Sequence, residues 1–313
     1  MHESGWEASL LRERGMPVSR GQKVGKFNVL AKLGEGARST IFAVQEPRTK
    51  QVWALKHTEK ETEKDDRFFE QMEHEQQIGS KLDHISVRQV TKLIKHRTRM
   101  KISAMSLLME LVDGNTLDQK LPRGHAGAVK IFKQIANGLA HMHGRGFVHA
   151  DIKPNNILIT DDGGVKIIDL GQACAIGTVK KRIQGTPGYM APEQAHRQAI
   201  TPQTDIYNFG AMMYWVLIRE CIPTAMPPKD GNSSLFTGAV DASQIAKPVP
   251  PVQRNPRIHP LLSKQIMDCV ELHPNDRPES MEFVANRLEL IVDLLENPPK
   301  KPPPLVDDED TVT

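Results

Sequence analysis

The sequence predicts an α+β fold in two unequal lobes: a small antiparallel sheet carrying one helix, then a larger body built mainly of helices. Three observations predict it. From Phe27 to about Val112, short apolar runs of strand length alternate with turn residues, broken by a single charged, helix-forming stretch. After Asp113-Gly114 the apolar spacing changes to three and four residues, as in Ile131, Ile135, Leu139 and Met142. A chain of 313 residues has room for two domains or one two-lobed domain.

The elements follow in order. Residues 1–24 carry scattered charge without a sustained period and read as a flexible leader. "KFNVLAKLGEGARSTIFAV" reads as strand, glycine turn, strand, and "QVWALKH" as a third strand after the turn residues "EPRTK". "DDRFFEQMEHEQQIGSKL" is helical in composition. "VTKLI" and "MSLLMELV" are two further strands, so the first lobe spans 25–110 and the second 111–296. The helix through Met142 stops near Gly144. Further helices are expected over 205–220 and 278–296. In the latter, Pro278 suits a first turn, and Val284, Leu288, Ile291 and Leu295 form one face. The proline-rich residues 222–260 read as ordered loop with short turns. Residues 297–313, "NPPKKPPPLVDDEDTVT", read as an extended spacer with an acidic cluster.

Composition narrows the function classes. Hydrophobic content of 39% and charged content of 25% are those of an ordinary soluble globular chain. A formal net charge of +3 argues against a nucleic-acid binder driven by bulk charge. Cys174, Cys221 and Cys269 are odd in number and far apart, which suits a reducing compartment and fits neither a disulfide framework nor a zinc site. The N-terminus has no signal-peptide pattern, and the longest apolar run, "FGAMMYWVLI" at 209–218, is too short to span a bilayer. A cytoplasmic protein without a membrane span is expected.

The chemistry begins at "GEGARS". Gly34 and Gly36 stand between two strands, and such a turn lets backbone N–H groups approach phosphate oxygens without a Cβ clash. A plain hairpin explains this stretch equally well. Lys56 shares a strand face with Ala54, whose small side chain leaves space for a flat ring. To reach phosphates, the lysine needs an acid to hold it; Glu75, Glu73 and Glu70 are the candidates. In "HADIKPNNILI", Asp151 can accept a proton from a hydroxyl, Lys153 offers positive charge, and Asn156 offers a neutral oxygen for a hard cation. "DGGVKIIDLG" ends an apolar strand in Asp169 and Gly171, a placement suited to a magnesium ligand.

In this order and spacing, the chain resembles the eukaryotic-like, or Hanks-type, protein kinase family over roughly residues 27–296. "GEGARSTI", "WALK", "HADIKPNN", "DLG", "APE" at 191–193, "DIYNFG" and "HPNDRP" carry the resemblance. The segment "PPVQRNP" and the short first lobe look most similar to the bacterial branch. The resemblance implies the two-lobed kinase fold. It implies ATP between the lobes, under Gly34, Glu35, Gly36, Ala37 and Ser39. Ile41, Ala54, the gatekeeper Met109 and the linker residues Glu110 and Val112 would surround adenine. It also chooses among the acids, because the family's helix glutamate precedes a histidine by about nine residues, as Glu75 precedes His84. Lys56 and Glu75 would then pair on the phosphates, Asn156 and Asp169 would hold Mg²⁺ (or Mn²⁺), and Asp151 and Lys153 would serve the acceptor hydroxyl. Lys153 and "GTPGYMAPE", with Thr186, resemble Ser/Thr kinases, which implies protein substrates. Glu193 should pair with Arg277 as a structural brace.

Departures from the family pattern carry their own expectations. Ala150 stands where many relatives have an arginine that pairs with a phosphorylated activation loop. The loop from Gln172 to Gly185 has Thr178 as its only hydroxyl, followed by Lys180, Lys181 and Arg182. An active kinase independent of loop phosphorylation is expected. Leu170 replaces the usual phenylalanine as another apolar packer. Gly79 is expected to leave a packing gap beside the Glu75 helix, which a dimer contact would settle; filling the gap should raise activity. The stretch at 87–101, with six Lys or Arg and no acid, reads as a solvated strand edge, with docking of an acidic partner or the "DDED" tail as the sharper reading. A pseudokinase scaffold is the alternative function, and a small-molecule kinase a more distant one. Lys56, Glu75, Asp151, Asn156 and Asp169 are all present, and a scaffold has no chemical need for the set.

Overall fold

The computed structural model describes residues 22–36, 38–226 and 241–298. The leader up to residue 21, Ala37, residues 227–240 of the proline-rich stretch and the tail from 299, with its acidic cluster, lie outside the described residues. Six strands form one antiparallel sheet: β1 (Lys23–Val24), β2 (Phe27–Glu35), β3 (Thr40–Gln45), β4 (Val52–Glu59), β5 (Val90–Thr98) and β6 (Lys101–Met109), in the order β1-β2-β3-β4-β6-β5. Alternation of side chains divides its faces. Leu55 packs outward with Phe27, Val29, Phe42, Val44 and Leu108, whereas Ala54 faces the main core. Lys56, two residues on, therefore points inward with Ala54, as the alternation predicts.

Helix α1 (Asp66–Gly79) covers that inner face. Its buried stripe is Phe69, Met72, Glu75 and Ile78, each three residues after the last. A carboxylate on an otherwise apolar stripe requires a partner. Asp65 ties off the start of the helix by accepting the backbone N–H groups of Thr62 at 2.8 Å and Glu61 at 3.1 Å. At the other end, no packing gap exists at Gly79. A Cβ there would meet Val90 Cγ2 at 2.4 Å and Leu170 Cδ1 at 3.4 Å, so Val90 already fills the space. The expectation of a loose helix is corrected accordingly.

The second lobe begins with β7 (Gly114–Thr116) and α2 (Gly124–Gly144), whose buried residues Phe132, Ile135, Leu139 and Met142 keep the predicted period. Short pieces follow: β8 (Phe147–Val148), β9 (Ile157–Thr160), β10 (Val165–Ile167), β11 (Cys174–Ala175), β12 (Thr178–Val179), α3 (Pro192–Ala195) and β13 (Ala199–Ile200). Then come α4 (Pro202–Ile218), α5 (Pro251–Arg254), α6 (Pro260–Cys269) and α7 (Met281–Glu296). The last helix starts after Pro278, because the Ser280 hydroxyl caps it by accepting the Phe283 N–H at 3.1 Å. One continuous core joins Met72, Met105 and Leu107 of the first lobe to Ile135, Ile157 and Ile167 of the second. Glu193 and Arg277 form the expected brace, buried and bidentate at 2.7 and 3.0 Å. The remaining Arg277 donors reach the main-chain oxygens of Glu271, Leu272 and Gln203. Among the described residues no helix is long and apolar enough to cross a membrane.

Candidate active site

The cleft between the lobes gathers the polar residues that the sequence singled out. Lys56 lies opposite Ile41 on β3 and Leu107 on β6, and Ala54 lies opposite Met109. The Lys56 ammonium is 2.7 Å from Glu75 Oε2 and 3.3 Å from Asp169 Oδ1. Glu75 is therefore the acid on the lysine, while Glu73 pairs with Lys95 and Glu70 is exposed. Burial works against the ammonium, but the Glu75 and Asp169 carboxylates outweigh it and hold Lys56 above its ordinary value. Burial likewise opposes the Asp169 charge, yet Lys56 and His149 hold its carboxyl below the usual range.

The glycine turn lies beside this pair. Gly36 donates its N–H to Ser39 O at 2.7 Å, and a Cβ on Gly36 would stand 3.0 Å from Ser39 Oγ. A Cβ on Gly34 would meet nothing within 4 Å, so that edge is open to a ligand. Glu35 ends β2 and pairs with Lys32 at 2.5 Å. At the back of the cleft Met109 is buried, and Glu110 to Val112 leave β6 as a half-buried linker. Lys166 and the Gln89 N–H hold the Glu110 carboxylate at 2.7 and 3.1 Å.

Asp151 and Lys153 face each other across the cleft floor, 2.9 Å apart. The Thr186 hydroxyl joins them: it donates to Asp151 Oδ1 at 2.7 Å and accepts from Lys153 Nζ at 2.7 Å. Asn156 donates its amide to the Asp151 main-chain oxygen at 2.8 Å and to its carboxylate at 3.2 Å. The amide nitrogen of Asn156, not its oxygen, thus faces Asp151. Asp169 adopts φ +64°, a left-handed conformation that costs a non-glycine residue about 1 kcal/mol. Helix α1 is tied to the chain beyond it, with Gln71 Nε2 donating to Gly171 O at 3.0 Å and His74 Nε2 meeting Ala173 O at 3.1 Å.

Residues 27–288 match the protein kinase domain. The chain belongs to the protein kinase family. It is 28% identical over 284 residues to the serine/threonine-protein kinase pkn3 of Myxococcus xanthus, covering 85% of this chain and 50% of that protein. Serine/threonine-protein kinase PrkC of Bacillus subtilis is 27% identical over 267 residues, 82% and 39% of the two chains. Serine/threonine-protein kinase PknL of Mycobacterium tuberculosis is 31% identical over 221 residues, 67% and 52%. These relatives are bacterial, as the resemblance implied, and the chain spans about half of their length or less.

The family uses ATP and a divalent metal, and the oxygen donors present here suit a divalent cation. The Asn156 amide oxygen and the Asp169 carboxylate are hard oxygen donors, and the Ile168 N–H donates to Asn156 O at 2.9 Å, which holds their two segments together. A pair of this kind suits a divalent cation that takes its other ligands from phosphates and water.

The sequence left three contributors unassigned. Asp205, on α4, is fully buried and accepts the N–H groups of His149 at 2.8 Å and Ala150 at 2.7 Å, with His143 at 2.9 Å. It fixes Ala150 at φ +61° and so aims Asp151. Gln194 donates to Ala150 O at 2.8 Å. Arg88 has its Nε buried without a hydrogen-bond partner among the described residues, and the Glu75, Glu110 and Asp169 carboxylates favour its charge against the burial that opposes it. "DIYNFG" marked the position of Asp205 without showing its target; nothing local marked Arg88.

Proposed function

We propose that this kinase transfers the γ-phosphoryl group of ATP to Ser or Thr hydroxyls of protein substrates. The observation that carries this reading is the Asp151 carboxylate accepting a threonine hydroxyl at 2.7 Å, with Lys153 on the same hydroxyl oxygen. The Thr186 hydroxyl occupies the type of contact an incoming acceptor would make. A group at this distance is within reach for general-base catalysis.

Each residue then has a role. The turn from Gly34 to Ser39 covers the triphosphate. Ile41, Ala54 and Met109 line the adenine space, and the main chain of Glu110 and Val112 meets its edge. Lys56, held by Glu75, pairs with phosphate oxygens. Asn156 and Asp169 would hold Mg²⁺, or Mn²⁺ in its place, which when bound neutralises charge on the transferred group. Asp151 orients the acceptor hydroxyl and takes its proton, while Lys153 steadies the phosphoryl oxygens. Most of the rate comes from this positioning and preorganised charge.

Ala150 leaves no cation at the position that would read a loop phosphate, so the kinase is proposed to act without activation-loop phosphorylation. The exposed basic residues of β5 are proposed to guard a sheet edge, because β5 is the terminal strand of its sheet. Lys95 is already paired with Glu73, and Arg88 turns inward, which reduces the charge left for an acidic partner. The three cysteines are free, in keeping with a cytoplasmic location.

The test compares the wild-type protein with Asp151→Asn, using γ-labelled ATP with Mg²⁺ or Mn²⁺ and a mixture of protein acceptors. The variant should bind ATP and lose about 10²–10⁴-fold in transfer, the span expected of a general base. Wild-type protein that binds ATP but labels no Ser or Thr would leave the pseudokinase reading in its place.

A further inference from the structure

The catalytic loop is bare of charge at residue 150. The Ala150 methyl group is fully buried and packs with Val148, Cys174 and Ile200. Its main chain is gripped by Asp205 and Gln194, so the loop is held from the large lobe without help from its own side chain. Strand β11 covers this spot through the pairing of Cys174 with Val148.

One side chain of the activation loop comes back to the start of that loop, at Gln172, two residues before Cys174. Thr178 and Val179 pair with Ile200 and Ala199, and Gly177 N–H donates to Ile200 O at 2.8 Å, which pins the chain just before Lys180. Lys180 then folds inward, half-buried, while Lys181 and Arg182 beside it are exposed. Its ammonium donates to the main-chain oxygen of Gln172 and approaches the Gln172 side-chain oxygen at 3.5 Å. Burial pulls it below its ordinary value, against the opposing pull of the Asp151 and Asp205 carboxylates. A lysine pays rotamer entropy and desolvation to be held this way, whereas its two neighbours stay in water.

We propose that Lys180 is a positioning residue that fastens the far half of the activation loop to Gln172, two residues before the Cys174–Val148 pairing that joins this loop to the strand leading into the catalytic loop. The loop from Gln172 to Thr186 is thereby held in its acceptor-binding form with no phosphate on it. Thr178 is already engaged, its hydroxyl donating to Ala175 O at 2.7 Å, and it needs no modification to complete the tether. This inference rests on the kinase reading above and deepens its regulation.

The experiment uses the full chain, treated with phosphatase and confirmed free of phosphate by intact mass. Lys180→Ala, Lys180→Arg and Lys181→Ala are compared for transfer to dephosphorylated casein and for hydrogen exchange over residues 172–186. Lys181→Ala removes the same charge from an exposed neighbour and should stay within about twofold of wild type. Lys180→Ala should lose at least tenfold in kcat/KM for casein, about 1.4 kcal/mol, with the KM for ATP unchanged and faster exchange over the loop. Lys180→Arg, which keeps the cation, should recover most of the activity and the protection. Should Lys180→Ala fail to fold, Lys180→Met keeps the aliphatic stem and carries the same comparison. Equal behaviour of the Lys180 and Lys181 variants, or a loss that arginine does not restore, would overturn the proposal. Wild-type protein that transfers to no acceptor would instead refute the kinase reading, and the exchange comparison would still decide the tether.

Discussion

Gly79→Ala puts one methyl group into the seam between α1 and β5. Gly79 lies in regular helix, so alanine should gain up to about 1 kcal/mol in helix propensity, and less at the last residue of α1. Against that, the new Cβ would stand 2.4 Å from Val90 Cγ2 and 2.6 Å from Val90 Cβ. Both distances are far inside van der Waals contact, so the helix or the strand must move. Overpacking of this kind costs about 1–3 kcal/mol. Overpacking wins, and a net loss of about 1–2 kcal/mol is expected. Glu75 lies one turn earlier on the same helix, and its 2.7 Å contact with Lys56 depends on the helix position. Transfer activity should therefore fall with stability. Val90→Ala cannot relieve the clash, because Val90 Cβ is itself one of the offending atoms; Val90→Gly can. Urea unfolding of the wild type, Gly79→Ala, Val90→Gly and the double variant should show a favourable coupling of about 1 kcal/mol or more. A neutral or stabilising Gly79→Ala, or raised activity, would refute the reasoning.

Three other outcomes follow. Asp205→Asn keeps the shape of the side chain but turns an amide toward donors, so it should cost about 1–3 kcal/mol in urea unfolding and lower transfer; an unchanged midpoint goes against the assigned hydrogen bonds. Thr178→Ala and phosphatase-treated wild type should both keep most of their activity towards an external substrate, and a tenfold loss, about 1.4 kcal/mol, would show that a loop phosphate matters. Burial, with His57 beside His96 and His141 beside His84, holds both His96 and His84 below their ordinary values. Both therefore protonate more readily once unfolded than in the fold. Their contribution to stability is thus complete above about pH 6.5 and is lost as pH falls through the lowered folded values, a small effect because solvent screens both rings. His96→Gln should flatten that slope between pH 7 and pH 5, and an identical slope would count against its burial as the cause.

Helices α2 and α7 were legible because their apolar periods are long enough to be distinctive, the sheet from strand-length apolar runs between turn residues, and α1 from its helix-forming composition. The strand alternation alone placed Lys56 on the inner face. Other features had no local signature. Strands β8, β11, β12 and β13 are two residues each, too short to show a period. Composition could not separate Glu75 from Glu70 and Glu73; only the spacing to His84, read through the family resemblance, chose it, and the 2.7 Å contact places it on Lys56. Gly79 was misjudged because helix propensity sees a missing side chain but not the valine that stands against it. The hold of Asp205 on Ala150, 55 residues away in the chain, is a tertiary contact that no window of sequence contains.

The anchoring of α1 and of the segment before β5 has a mechanical consequence. Residues 83–88 belong to the small lobe by sequence, yet they are bonded to the large one. Ile167 N–H donates to Ser86 O at 2.7 Å, Arg88 N–H to Ile167 O at 3.0 Å, and Asp83 N–H to the His141 ring at 3.2 Å. Gln71 and His74 fasten α1 to the same body. With nucleotide bound as proposed, a swing of the β1–β3 end of the sheet on β4 would release it with all of these bonds intact. The leaf of that door is the glycine turn, and its hinge post includes the helix that carries Glu75. Departure and re-entry of nucleotide along this path would leave the Lys56–Glu75 pair in place, so each new cycle would begin with the proposed phosphate-binding charge already set.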